Sequence, residues 1–151
     1  MELQEAVLIP LPRDVVFNAL NDPEVLQQSI PGCEEITKHS DTQMEATVVV
    51  KFGPVKASFN SDVTLDPSEG PEKFQLSGKG DAGIAGFATG GAVVTLTEQG
   101  SDTLLAYDVT IDVTGKLAQV GSRLMEGTTK RLAKKFFKNF EETLLGDTKH
   151  A

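Results

Sequence analysis

The sequence predicts an α+β domain in which a seven-stranded antiparallel sheet curves around one long C-terminal helix, with two short helices after the first strand. Three patterns carry the prediction: period-two alternation from Cys33 to Val113, a helically spaced apolar stripe over 116–145, and proline-punctuated helical patterns between residues 12 and 30. A half-apolar sheet and an amphipathic helix each need cover, and packing one on the other supplies both.

Residues 2–9 alternate loosely and end at Ile9, giving the first strand, and Pro10, Leu11 and Pro12 then break the pattern. Val15, Val16, Ala19 and Leu20 recur at helical spacing, with Pro12 suited to the first turn. Asp22-Pro23 offers an N-cap and then a proline at the first helical position, so a second helix runs to Ile30 and stops at Pro31-Gly32. Turn residues at Ser40-Asp41, Gly53-Pro54, Pro67 to Pro71 and Gly100-Ser101-Asp102 then divide about six strands. Met44, Ala46, Val48, Val50 and Phe52 alternate with polar neighbours, and Leu105, Tyr107, Val109, Ile111 and Val113 do the same, as in a sheet with one face in water. The stripe Leu117, Val120, Leu124, Thr128, Leu132, Phe136 and Phe140 marks the covering helix, ended by Gly146. The domain is therefore expected over residues 1–146, with 147–151 as a tail.

Of the 151 residues, 39% are hydrophobic and 24% charged, and none of the apolar runs approaches the ~18–20 residues of a membrane-spanning helix. Fourteen Lys and Arg against 22 Asp and Glu leave a formal charge of −8, which disfavours nucleic acid as a partner. The acidic N-terminus resembles no signal or transit peptide, so a cytoplasmic location is expected. Cys33 stands alone, excluding an internal disulfide or a multi-cysteine zinc site, and His39 and His150 form no metal-ligand spacing with it. No GxSxG elbow or carboxylate dyad is visible, so neither catalytic residues nor metal ligands are assigned. Gly78-Lys79-Gly80-Asp81-Ala82-Gly83 fits the letters of a dinucleotide fingerprint, but no helix pattern follows it. Bulges or a flexible pocket entrance explain these glycines better.

Small residues collect where sheet and helix should meet: Ala46, Ala57, Gly78, Gly80, Ala88, Gly90 and Ala92 on the strands, and Gly121, Gly127 and Thr128 on the helix. Each helix glycine costs about 1 kcal/mol relative to alanine, so space or close approach is expected there. Two readings follow, tight helix-on-sheet packing or an apolar ligand cavity. The candidate lining is Phe52, Phe59, Leu76, Val94, Tyr107, Val109, Leu117, Leu124, Thr128 and Leu132, with Tyr107 or Thr128 as polar anchors; Tyr107 serves equally well as a core hydrogen-bonding group. Lys130, Arg131, Lys134, Lys135 and Lys138 make one basic run, either a solvated face or a docking surface for an acidic protein or membrane, with Phe137 expected partly exposed beside it.

The segments Asp22-Pro23-Glu24-Val25-Leu26 and Ile30-Pro31-Gly32-Cys33-Glu34 resemble the early motif of the CoxG family, named for the CoxG component of carbon monoxide dehydrogenase. Gly78 to Gly83 followed by Gly86-Phe87, and Gly115-Lys116-Leu117-Ala118-Gln119-Val120-Gly121 through Phe136-Phe137, are similar to its glycine-rich strand and terminal helix. The resemblance spans nearly the whole chain. It implies the START/SRPBCC-like helix-grip fold with a cavity, and a noncatalytic carrier of a lipophilic small molecule such as a quinone. It also implies service to a molybdenum-containing CO dehydrogenase-type hydroxylase, whose cofactor belongs to that partner, and help in its recruitment to the inner membrane face. No cofactor of its own is expected. Longer relatives carry a membrane-attaching C-terminal extension, whereas this sequence stops five residues after Gly146, so transient membrane contact is expected through the basic run or a partner. Two other functions fit the same pattern: a cyclase- or hydratase-like enzyme using the pocket, or an assembly factor with a filled core that docks through the basic helix.

Overall fold

The computed structural model describes the backbone of residues 1–150 and the side chains of residues 1–146. Strand β1 spans Glu2–Ile9, and helices α1 (Arg13–Leu20) and α2 (Pro23–Ser29) follow. Helix α1 buries Val16, Ala19 and Leu20, and Pro12 occupies its N-cap. Asp22 caps α2 as expected, its Oδ1 accepting the Glu24 N–H at 3.0 Å, with Pro23 at the first helical position. The turn out of α2 needs Gly32: its φ is +77°, and a Cβ there would collide with the Val49 carbonyl.

The meander comprises β2 (Cys33–Ser40), β3 (Gln43–Phe52), β4 (Val55–Asp66), β5 (Lys73–Asp81), β6 (Phe87–Gln99) and β7 (Asp102–Thr114). All neighbours pair antiparallel in the order β1-β7-β6-β5-β4-β3-β2, so the first strand closes the sheet beside the last, from Glu2 opposite Thr110 to Ile9 opposite Thr103. The period-two reading holds: Met44, Val50, Phe52, Phe59, Leu65 and Leu105 are buried, while Glu45, Lys51, Lys56, Asn60 and Asp112 are exposed.

The long helix departs from the expected span at both ends. Residues Gly115–Val120 form a 3-10 turn, Gly121 takes φ +92°, and α3 is Ser122–His150. Left-handed glycines at 115 and 121 bracket the 3-10 turn, so the helical pattern read from 116 is interrupted before α3 begins. Nor does Gly146 end the helix, since α3 runs through it to His150; one interior glycine costs about 1 kcal/mol, too little to stop a packed helix. The tail expected at 147–151 lies outside the described side chains.

Two clusters form the core. The larger gathers β1, α1 and the sheet around Phe74, Leu96, Leu105 and Phe140; the smaller gathers Phe52, Phe59, Ala57, Leu117 and Met125. Helix α3 also packs on α2, where the Asn139 side-chain amide donates to the Ser29 carbonyl at 3.2 Å.

Candidate functional site

Between the concave sheet face and α3 lies a cavity of about 410 Å3. Strand register builds its floor. One row runs Ser61, Gly80, Ala88, Val113 across β4 to β7; the next runs Val63, Gly78, Gly90, Ile111; a third brings Leu76, Ala92 and Val109 together. Strands β5 and β6 thus present mostly glycine and alanine in mid-sheet, between branched side chains on β4 and β7, and a trough results where an ordinary interior would be filled. Phe52 and Phe59, edge to face at 6.4 Å, line the cavity near the 3-10 turns. Met125, Thr129 and Leu132 face the cavity from α3. One row beyond Val109, Phe74, Val94 and Tyr107 restore full-sized side chains.

Of the ten expected lining residues, Phe52, Phe59, Leu76, Val109 and Leu132 border this cavity. The other five do not. Val94 and Tyr107 belong to the filled row of the larger cluster. The Tyr107 hydroxyl donates to Glu5 Oε2 at 2.9 Å, so it is not available as an anchor; burial first, then that bond and the Glu5 charge, pushes its pKa up to about 12. Leu117, fully buried, packs with Phe52 and Phe59 from the 3-10 turn. Leu124 and Thr128 border a separate hollow of about 550 Å3 with Val120 and Arg131, and Leu124 covers Gly53, where a Cβ would come within 2.9 Å of its Cδ2.

The miss on α3 is one of phase. A stripe repeated every four residues drifts about 40° per step on a 3.6-residue helix, so counting back from Leu132 the cavity-facing positions are Thr129 and Met125, not Thr128 and Leu124. Gly121 is the signal that the stripe should not be extended through Val120. Ser61 was also missed: it lines the floor, and its hydroxyl has no hydrogen-bond partner among the described residues. The Thr129 hydroxyl is engaged with the Met125 carbonyl at 2.8 Å. The helix glycines do not mark close approach, for a Cβ at Gly121 or Gly127 would meet nothing within 4 Å.

Along the basic run, Lys130 pairs with Glu126 at 3.1 Å, whereas Lys134, Lys135 and Lys138 are exposed and without ion pairs among the described residues. Arg131 is also exposed, with Nη2 3.5 Å from Thr128 Oγ1. Phe137 is half-buried. It turns toward the sheet and stacks on Tyr107 at 5.3 Å, with Phe136 edge-on at 5.0 Å, because the apolar side of α3 at this level is wide enough for both rings.

The glycine segment is the end of β5 followed by a three-residue 3-10 turn, Gly83–Ala85, where Asp81 Oδ1 accepts the Gly83 N–H at 2.8 Å. It has no following α-helix to receive a phosphate. Cys33 is half-buried, and burial holds its thiol above the usual range. Among the described residues no three His, Cys, Asp or Glu side chains gather, and no helix is long and apolar enough to cross a membrane.

Similarity to known proteins agrees with this architecture. A conserved protein from Geobacillus kaustophilus superposes with a TM-score of 0.89 at 24% identity, covering 97% of this chain and 96% of that one. A START superfamily protein from Mycobacterium smegmatis gives 0.72 at 13% identity, covering 94% and 95%, and the Zhui aromatase/cyclase from Streptomyces sp. R1128 gives 0.69 at 12%, covering 95% and 92%. These likenesses establish the START/SRPBCC-like fold. No curated protein sequence matches the chain. The family model for the CoxG component of carbon monoxide dehydrogenase matches residues 6–145, and the chain belongs to the CoxG family.

Proposed function

We propose that this protein is a noncatalytic carrier of a lipophilic small molecule, a quinone being the class that suits the family, and an accessory to a molybdenum-containing CO dehydrogenase-type hydroxylase at the inner face of the membrane. The observation that carries the reading is the cavity of about 410 Å3, within the usual range for small-molecule sites and walled mainly by apolar and small residues. Among the described residues Lys79 is the one titratable residue that borders it, with no Asp, Glu, His, Cys or Tyr, so the wall offers chiefly shape and desolvation. Burying about 400 Å2 of apolar ligand surface would yield a gross driving force of about 10 kcal/mol, enough for useful affinity after ordering losses. Ser61 takes the anchoring part first expected of Tyr107 or Thr128, its free hydroxyl able to donate to a ligand carbonyl. Lys134, Lys135 and Lys138 on the outer side of α3 form the docking surface for the acidic face of the partner enzyme.

Solvent extraction of the purified protein followed by mass spectrometry tests the carrier role, together with co-elution of added short-chain ubiquinone on gel filtration. A bound lipophile, or stoichiometric retention of the quinone, is the expected result; repeated absence of both overturns the reading. For docking, the double variant Lys134→Glu, Lys135→Glu should lose capture of the hydroxylase while retaining the fold, and undiminished capture rejects this surface.

A further inference from the structure

The second hollow, of about 550 Å3, differs in chemistry from the apolar cavity. It lies along the start of α3, with Val120 and Leu124 as its apolar wall and Arg123, Thr128 and Arg131 as its polar border, and no Asp or Glu borders it among the described residues. In a chain of net charge −8 this is a local reversal of sign. Neither arginine has an ion-pair partner among the described residues, and Glu126, the nearest acid along the helix, is taken by Lys130.

Three features here are unfavourable in the protein on its own. Thr128 is 1% exposed, yet its hydroxyl only accepts, from Arg131 Nη2 at 3.5 Å; the hydroxyl proton has no acceptor among the described residues, whereas that of Thr129 goes to the Met125 carbonyl. The helix start is uncompensated. Its first intrahelical bond runs from the Met125 N–H to the Gly121 carbonyl at 3.1 Å, so the amides of Ser122, Arg123 and Leu124 have no carbonyl to reach, and no side chain caps them among the described residues. The first turn carries Arg123 and no acid, the wrong sign for the positive end of a helix dipole. Gly127 weakens the helix without the excuse of close packing, since a Cβ there meets nothing within 4 Å. What its missing side chain does is leave open the strip between Arg123 and Arg131, which recur every four residues with it and lie about 12 Å apart along the axis.

We infer that this hollow binds a small soluble organic phosphate with a second oxygen-bearing end. The phosphate takes the amides of the first turn of α3 and the Arg123 guanidinium, which together supply donors and positive charge at one point. The body of the ligand lies over Gly127 against Val120 and Leu124, and its far oxygen accepts from the Thr128 hydroxyl and Arg131. A bare anion leaves most of the hollow unused, because 550 Å3 is the volume of about eighteen waters at ~30 Å3 each. The site shares no bordering residue with the apolar cavity, so it does not depend on what that cavity holds.

Titration of the full chain with inorganic phosphate and with 4-carboxyphenyl phosphate, followed by calorimetry and by amide chemical shifts, tests it. Saturable binding of the aryl phosphate is expected, about tenfold or more tighter than inorganic phosphate, with the largest shifts at Ser122, Arg123, Leu124 and Gly127. Arg123→Gln should weaken both probes about tenfold or more, and Arg131→Gln the aryl phosphate alone. Gly127→Leu should raise the thermal transition, leucine being the better helix former, and still weaken the aryl phosphate about tenfold or more by filling the strip. A fall in affinity with a rise in stability cannot come from misfolding. The inference is overturned by absence of saturable binding, by binding indifferent to the arginine changes or to Gly127→Leu, or by shifts centred elsewhere in the chain. Binding to vesicles containing phosphatidic acid without uptake of the soluble aryl phosphate would put the phosphate on a lipid and likewise overturn it. Quinone retention by the same variants reads the carrier role separately, so either result stands without the other.

Discussion

Ala92→Leu tests the trough most directly, because Ala92 lies in mid-sheet between Leu76 and Val109 and borders the cavity. The change adds three carbons, each of roughly the ~30 Å3 that a water molecule occupies in the liquid. About a fifth of the 410 Å3 is thereby filled. If that space is empty in the ligand-free protein, burying three carbons at about 0.8 kcal/mol each stabilises the fold by up to roughly 2.4 kcal/mol. A lipophile that fills the same space loses a comparable amount, roughly fiftyfold in affinity. Urea unfolding of the ligand-free protein measures the first quantity, and quinone co-elution at graded concentrations the second. In a filled core the sign reverses: overpacking costs about 1–3 kcal/mol. A variant destabilised by that much, with quinone retention unchanged, would refute the trough.

Tyr107→Phe probes the filled row beyond the trough. A hydroxyl whose pKa is raised from about 10 in the unfolded chain to about 12 in the fold holds its proton longer when folded, so the stability it contributes is intact below pH 10 and is lost as pH rises toward 12. Urea midpoints of the wild type should therefore fall over that window, and those of the variant should fall less; identical slopes would contradict the burial of this hydroxyl beside Glu5. Thr103 is fully buried, with its hydroxyl donating to the Leu11 carbonyl at 2.7 Å. Thr103→Val should cost about 1–3 kcal/mol in urea unfolding by leaving that carbonyl unpaired, and a change under a few tenths would show that water replaces the bond.

The sheet and the short helices were legible in the sequence because their signals are local: Asp22-Pro23 states a helix start within two residues, and alternation from Met44 to Phe52 states which side chains face inward. The trough was half legible. Small residues at 78, 80, 88, 90 and 92 could be picked out from sequence, but whether they line up depends on β5–β6 register, which sets Gly78 against Gly90 and Gly80 against Ala88. Register is a pairing between distant segments, and no single strand encodes it fully. The five misplaced lining residues have related causes. Leu124 and Thr128 followed a helical phase that Gly121 interrupts, Leu117 lies before that break, and Val94 and Tyr107 fall one row past the end of the trough.

Composition and periodicity by themselves determined a curved antiparallel meander closed by an amphipathic helix, because burial of alternate residues is decided residue by residue along the chain. Only the tertiary structure decided where the hollow lies and that the Ser61 hydroxyl on its floor is free among the described residues. Those are properties of segments far apart in sequence, brought together by strand pairing and helix packing.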